Sequence, residues 1–522
     1  MQIKSQSITR GALILGAASF LSYLLGLFRD RLLASTFGAG TALDAYNTAF
    51  IIPDVIANLL FAGVSLSVLM PVLTDIAARK KNAEAFRVAN TVLNLTAIVL
   101  TILSVIVFFL MPVLIKLVAP GFTGEQRTLT VELSRLMLLS PLLFALSNAF
   151  GSILVSMKRF ASYAFSPVFY NIGIVAGLLI FSKKFGIHAA VIGTIAGAFL
   201  HLLFRFVELI RTPYRYSPIL DLKHPALRKI GTMMIPRMIN LMAVQANLWA
   251  WNAIASTLAV GSIAVFNLSR NLQSLPVSLF GIALATAVSP TLTDTASTNN
   301  WPKFVEHIRR TFSRILFFTL PAGVGMFLLR YEIADVLFSG GQFTDANMRA
   351  TAFTLGVFCL VTPLESVVHL LLRAFYAQLD TKTPLLISLA MTATNIISAL
   401  VFTKWIGVAG LPLGFAVANA LQLTLLLLVL HKRVQGFNIA SFITTTRTSV
   451  IATLAMSATL SIYLWWFRSA FTAGTLTGII QIGSGVLIGA FVYFLTSNAL
   501  RDENTNIVRA WFTRLGGLTK RS

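Results

Sequence analysis

The chain has 522 residues, of which 56% are apolar and only 11% charged; an ordinary soluble domain is about 25% charged. With a mean hydropathy of +0.81 it is too apolar to hide its surface from water as a globule, and too apolar for disorder, which needs low hydrophobicity and high charge. The class that remains is an all-α polytopic membrane protein. The net charge of +23 comes from 41 basic and 18 acidic residues. The basic residues fall in short clusters between apolar runs, which reads as loops facing an anionic leaflet and excludes a nucleic-acid partner. The single cysteine, Cys359, makes neither an internal disulfide nor a cysteine metal cluster.

In chain order, a short polar stretch at 1–10 precedes an apolar run of about 24 residues, long enough for a first spanning helix and too long for a cleaved signal core. Fourteen such runs lie near 11–34, 42–75, 86–116, 130–156, 161–182, 187–210, 229–257, 260–292, 307–330, 347–377, 384–403, 407–431, 447–467 and 475–497. The second, third, eighth and tenth exceed the minimum, so they are expected to tilt or project. Pro53, Pro141, Pro236, Pro276 and Pro321 fall inside runs and mark expected kinks. With the N-terminus in the cytoplasm, about 26 Lys and Arg fall on the cytoplasmic side against about 8 on the other. That bias fits an even number of spans with both termini cytoplasmic. The loop 211–228 carries Pro213, Pro218 and Pro225 and reads as a connector between halves.

An internal repeat supports the two halves. Phe61, nine residues and Pro71-Val72-Leu73-Thr74-Asp75 match Phe280, nine residues and Pro290-Thr291-Leu292-Thr293-Asp294, at an offset of 219. Asn171-Ile172 with Asn395-Ile396, and Gly193 with Gly414, keep a similar offset. The expected unit is six spans, and an even number keeps the repeats parallel. The expected division is an N-lobe at 1–210, a connector at 211–228, a C-lobe at 229–431, and two further spans with a short basic tail at 432–522. Two lobes around a central cavity suit alternating access.

Ionisable residues at membrane depth cost roughly 2.5–3.5 kcal/mol on insertion scales and are candidates for function. The set is Arg29, Asp30, Arg31, Asp44, Asp54, Arg135, Glu208, Arg237, Arg270, Glu365, His369 and Arg373. It is rich in Arg and holds no Lys, and a planar guanidinium grips phosphate bidentately. A cavity for an anionic, phosphate-bearing substrate is therefore expected. Bland readings stand beside this. Arg29-Asp30-Arg31 could form a local ion pair or a snorkelling anchor. Asp44 could favour the start of its own helix or pair with Arg29 across a hairpin. Glu208 reads as part of a rim with Arg205 and Arg211; Arg135 and Arg373 read as snorkelling. Glu365 and His369, one turn apart, could form a proton-linked pair or simply pack. Arg270 lies in the polar stretch Asn267-Leu268-Ser269-Arg270-Asn271-Leu272-Gln273-Ser274, which a lipid-facing helix does not explain. No phosphate-loop, zinc-protease or nucleophile-elbow motif occurs, so an enzyme is not expected.

The stretch Leu25-Gly26-Leu27-Phe28-Arg29-Asp30, then Phe37-Gly38-Ala39-Gly40 and Asp44-Ala45-Tyr46, resembles the opening of the MurJ/MviN lipid II flippases, within the multidrug/oligosaccharidyl-lipid/polysaccharide exporter superfamily. Val118-Ala119-Pro120-Gly121-Phe122, Lys158-Arg159-Phe160 with Pro167 and Asn171, Phe338-Ser339-Gly340-Gly341-Gln342-Phe343-Thr344, Arg373-Ala374-Phe375-Tyr376 and Asp380-Thr381-Lys382-Thr383-Pro384 extend the likeness over about 10–390. The resemblance implies fourteen helices and a cationic cavity in the bacterial cytoplasmic membrane. It also implies passage of undecaprenyl-pyrophosphate-linked muropeptide, lipid II, from the inner to the outer leaflet. Spans 13 and 14 would form a groove for the lipid tail. Tyr23 departs from a family arginine. Ala57, Asn58 and Ala62 depart from family charges. Ser269-Arg270-Asn271 replaces Ala-Asp-Arg, displacing the positive charge by one position.

The reading is a monomeric lipid II flippase working by alternating access, with no cofactor, no metal or sodium site and no catalytic residue. Arg29, Arg31, Arg237 and Arg270 are expected to meet the pyrophosphate, and Asp30, Asp44 and Asn271 to orient or gate them. Kinks at Pro53 and Pro276 would let the lobes rock. The rival is an exporter of another polyprenyl-linked glycan, or a multidrug exporter of the same superfamily.

Overall fold

The computed structural model describes residues 8–64, 69–78, 82–157, 159, 161–470, 474–507 and 509. Long apolar runs in a medium without water can satisfy their backbone only as helices. Helices make up most of the described part of the fourteen runs, and strand structure among the described residues is limited to one isolated bridge, Gly340 to Phe343. In order, the elements are α1 (Ile8–Phe37), α2 (Thr41–Ala49), α3 (Ile51–Val64), α4 (Leu69–Ala78), α5 (Asn82–Val118), α6 (Gly124–Met137), α7 (Leu139–Ser156), α8 (Ala161–Phe185) and α9 (His188–Leu209). After an extended connector come α10 (Pro225–Ser256) and α11 (Ser262–Pro276), then a π-helical segment, Val277–Ile282, that runs into α12 (Ala283–Ser297). The remainder is α13 (Trp301–Leu328), α14 (Arg330–Phe338), α15 (Asp345–Ala377), α16 (Lys382–Ile406), α17 (Gly410–Arg433), α18 (Ile439–Ala470) and α19 (Thr475–Ala499). Ten stretches among the described residues are long and apolar enough to cross a membrane; three of them, Gly124–Ser156, Ser262–Ser297 and Lys382–Arg433, hold more than one helix.

The second run is broken at Phe50, and its residues 65–68 lie outside the described residues. Pro53 stands in the first turn of α3, where its missing N–H costs no intrahelical bond. Pro276 ends α11 and the backbone continues as π-helix. This is the form a kink takes when a helix loses a donor and absorbs the extra length in one wide turn.

Packing divides the chain into two units, residues 1–264 with 340–344, and residues 265–339 with 345–522. In the first, α8 and α9 meet through glycines: a Cβ on Gly173 would lie 2.2 Å from the Gly197 Cα, and one on Gly177 2.4 Å from the Gly193 Cα. Small residues at such contacts let helices approach where lipid supplies no hydrophobic drive. In the second unit α16 and α17 do the same, with a Cβ on Gly414 falling 2.6 Å from the Ala399 nitrogen. The sequence repeat is thus a packing repeat. Thr74 and Thr293, equivalent positions, each donate back one turn, to Met70 O at 2.8 Å and Ser289 O at 3.0 Å.

The connector is strapped along α5. Asn94 Nδ2 donates to the carbonyls of Ser217 (3.2 Å) and Ile219 (3.0 Å), Tyr214 donates to Asn90, and Arg87 pairs with Asp221 at 2.9 Å. In the loop after α15, Asp380 accepts from Thr383 N (3.0 Å) and from Arg433 at the end of α17 (2.5 Å). Burial alone would raise the Asp380 carboxyl, but these bonds outweigh it and hold it below its ordinary value.

Candidate functional site

In the first unit the site is built on α1. Arg29 donates from Nε (3.0 Å) and Nη2 (2.7 Å) to one oxygen of Asp30, and from Nη1 to Asn171 Oδ1 on α8 (3.2 Å). Asn171 is fixed in turn: its amide donates to Ser22 O and Oγ, both at 3.1 Å, and to Pro167 O at 3.2 Å. A guanidinium has five N–H donors; three are spent on these described partners, and the side chain is half-buried. Arg29 and Asp30 are thus a local ion pair, and Asn171, read in the sequence from the repeat and the family likeness but given no role, is the brace. Arg31 lies half-buried on the same helix. Arg237 falls on α10, but its side chain lies outside the described residues.

Asp44 does not pair with Arg29. The carboxylate, 2% exposed, accepts from the backbone N–H of Gly261 (2.6 Å) and Ala264 (2.8 Å), both also in the first unit. It caps the start of α11, where orphan amides and the helix dipole favour an anion. The capped turn needs Gly261: its φ is +91°, and a Cβ there would lie 2.2 Å from Ala39 O. Nearby, Thr48 donates to Asn252 Oδ1 (3.2 Å), Asn252 donates to Val118 O (2.9 Å), and Gln342 N donates to Ser35 O (2.8 Å). Residues 35–48, 118–122, 252–264 and 340–344 thus form one hydrogen-bonded clasp.

In the second unit the displaced charge is accounted for. Leu268, Ser269, Leu272 and Gln273 are buried, whereas Asn267, Arg270, Asn271 and Ser274 are each half-buried. At 100° per residue those four occupy an arc of about 100° on α11. Arg270 and Asn271 therefore share one polar stripe, so a one-position shift of the positive charge keeps it on the same face. Ser269, behind the stripe, donates to Thr351 O on α15 at 3.0 Å, and Gln273 Nε2 donates to Glu365 Oε2 at 3.0 Å.

The same helix leads from polar to apolar. Beyond Ser274, the residues Leu275, Pro276, Leu279 and Phe280 line a groove of about 490 Å³ in the second unit, closed by α13, α18 and α19 through residues such as Phe318, Met456 and Gly489. The stacked pair Phe280 and Phe318 forms part of its wall, with ring centroids 4.7 Å apart. Near it, Arg468 on α18 pairs with Glu332 on α14 at 2.5 Å.

Three other charged residues have different roles. Glu208 accepts from Ser162 N at 3.0 Å and lies 4.0 Å from Arg159; it does not bind Arg205. Arg205 is 2% exposed and inside the bundle, held by Ser166 Oγ, Ser147 O and Asn148 Oδ1 and stacked over Tyr163 at 4.9 Å. No acid is among its partners in the described residues, and a guanidinium so held is a structural pin across α7, α8 and α9. Arg135 donates to Phe108 O and lies over the Phe108 ring.

Comparison with known proteins places this arrangement. The lipid II flippase MurJ family model matches residues 33–495. A probable lipid II flippase MurJ of Rickettsia prowazekii is 26% identical over 511 residues, covering 95% of this chain and 99% of that protein. A lipid II flippase MurJ of Burkholderia cenocepacia is 26% identical over 439 residues, covering 82% and 84%. Among solved structures, the lipid II flippase MurJ in an inward closed conformation is 25% identical, with a TM-score of 0.78 over 94% of this chain and 98% of that one. An inward-facing multidrug resistance transporter of the MATE family shares the fold, with a TM-score of 0.67 at 17% identity over 82% of this chain and 98% of that one. The chain is a multi-pass membrane protein that belongs to the MurJ lipid II flippase family.

Proposed function

We propose that the chain carries lipid II, the undecaprenyl-pyrophosphate-linked peptidoglycan precursor, from the inner to the outer leaflet of the bacterial cytoplasmic membrane. It is a transporter and not an enzyme. The observation that carries the reading is the continuity of polar stripe and apolar groove on one helical segment. Arg270 and Leu279 are nine positions apart, roughly 13 Å along a helix. A ligand with an anionic diphosphate joined to a long hydrocarbon fits such a sequence of surfaces, and a compact cationic drug does not.

In this reading Arg29 and Arg270 hold the diphosphate, with Arg31 and Arg237 as further cationic contacts and Asn271 as a polar neighbour. Asp30 orients Arg29. Asp44 acts on the gate through the clasp, by capping the helix that carries Arg270. The lobes at 1–210 and 229–431 alternate about the connector at 211–228, residues 432–522 supply the tail groove, both termini are cytoplasmic, and the protein works as a monomer. The physical requirement is differential: the arginines must grip the diphosphate in one state and lose it in the other.

The test is growth of cells depleted of their own lipid II flippase and supplied with this chain at verified membrane levels. Restored growth is expected. A well-expressed chain that fails to restore growth, in a host whose lipid II it is shown to bind, overturns the reading.

A further inference from the structure

We infer that Glu365 on α15, held by Gln273, is the positioning residue for Arg270, doing in the second unit what Asp30 and Asn171 do for Arg29 in the first. The inference rests on the reading of Arg270 as a diphosphate contact. Its geometry is independent of that reading. Gln273 follows Arg270 by three positions, so the two side chains are neighbours on α11. Gln273 is 3% exposed and spends its amide on Glu365 Oε2 at 3.0 Å. The Ser269 bond to Thr351 O, at 3.0 Å, fixes α11 against α15 one turn back. That bond holds the Glu365 carboxylate beside the turn of α11 that carries Arg270. On α15 itself, His369 and Arg373 follow at successive turns.

A guanidinium at membrane depth needs a counter-charge when no ligand is present. Glu365 provides it without leaving the helix pair. An arriving diphosphate must compete with this carboxylate for Arg270. A departing one is helped away, because Arg270 has an acceptor to return to. Glu365 therefore weakens binding and speeds release.

The test is flipping of fluorescent lipid II in proteoliposomes, with apparent KM taken as mole fraction in the bilayer and kcat read separately. Glu365→Gln keeps an acceptor for Gln273 and removes the charge. It is expected to lower apparent KM by about threefold or more and kcat by about tenfold, the pattern of an overbound ground state. Glu365→Asp should recover part of the lost kcat. Gln273→Ala, which leaves the charge but frees its position, should move both constants in the same direction by less, and keeps the test open if Glu365→Gln expresses poorly. In an Arg270→Ala background, Glu365→Gln should no longer change KM. Should Glu365→Gln leave KM unchanged or raise it while Arg270→Ala raises KM, the inference is overturned and the diphosphate reading stands. Should Arg270→Ala itself leave KM unchanged, the diphosphate reading of Arg270 falls, and this inference falls with it.

Discussion

Arg29 and Arg270 lie on helices of different units and are held by different means. The partner of Arg29 is the next residue on its own helix, and a second helix adds only an amide from Asn171. Arg270 has no acid within its own helix; Glu365, the acid held against that helix through Gln273, belongs to α15. A pair of adjacent residues moves as one body whatever the helices do. A pair divided between two helices survives only while those helices keep their register. If both arginines meet the diphosphate as proposed, the contrast would make Arg29 a permanent contact and Arg270 one that depends on the register of α11 on α15.

The largest effect expected from this contrast is at Arg29. Arg29→Ala removes a charge-assisted contact of about 1.5–3 kcal/mol, so flipping should fall roughly 10- to 150-fold. Complementation by the well-expressed variant should fail. Arg29→Lys keeps the charge but loses the fork, and should recover only a fraction of the rate. Equal rates for Arg29→Ala and wild type would place the diphosphate elsewhere.

A filled groove should rank next. Gly489 on α19 opens onto Met456, and a Cβ there would lie 3.4 Å from Met456 Cγ. Gly489→Trp would project an indole into the space read as the tail site, and a roughly tenfold loss of flipping, about 1.4 kcal/mol, is expected from the occupied groove. Binding of a short water-soluble diphosphate analogue should survive. If both losses occur together, the groove and the arginines are not separable elements.

A smaller change should follow exchange within the stripe. Arg270→Asn combined with Asn271→Arg moves the charge by one position inside an arc of about 100°, so flipping should stay within roughly threefold of wild type. Loss of flipping in the exchanged protein would mean that the alignment of Arg270 with Glu365 matters more than the face it occupies.

Much of this was legible in the sequence, for identifiable reasons. The apolar runs, the charge bias and the Pro-x-Leu-Thr-Asp repeat report depth and period, and Thr74 and Thr293 each donate back one turn along their helices. Arg29 with Asp30 is adjacent and needs no fold to be seen. What stayed hidden were azimuths: which face of one helix meets which face of another. Asp44 finds its donors 217 and 220 residues away. Glu365 is answered by Gln273 from α11, while the sequence offered only His369 one turn along. Arg205 reads as rim from its place near a helix end, yet the bundle encloses it. In lipid, helices associate through small residues and polar bonds and not through an apolar stripe, so periodicity alone does not name the partner.

The smallest expected effect concerns the start of α11, which carries the conditional arginine. Asp44→Ala removes the acceptor for the first amides of that helix, a cap worth about 0.5–2 kcal/mol, so the thermal midpoint of the purified protein should fall by a few degrees. Asp44→Asn keeps one acceptor oxygen and loses the charge opposed to the helix dipole, so it should fall between the two. Because the cap fastens α11 at one end while Glu365 holds its middle, loosening it should affect Arg270 before Arg29. The rate lost in Asp44→Ala should therefore shrink when Arg270 is already absent and persist in full when Arg29 is absent. A loss that persists equally in both backgrounds would show that Asp44 serves the whole clasp of residues 35–48, 118–122, 252–264 and 340–344, and that its effect does not reach the membrane-depth charge through α11.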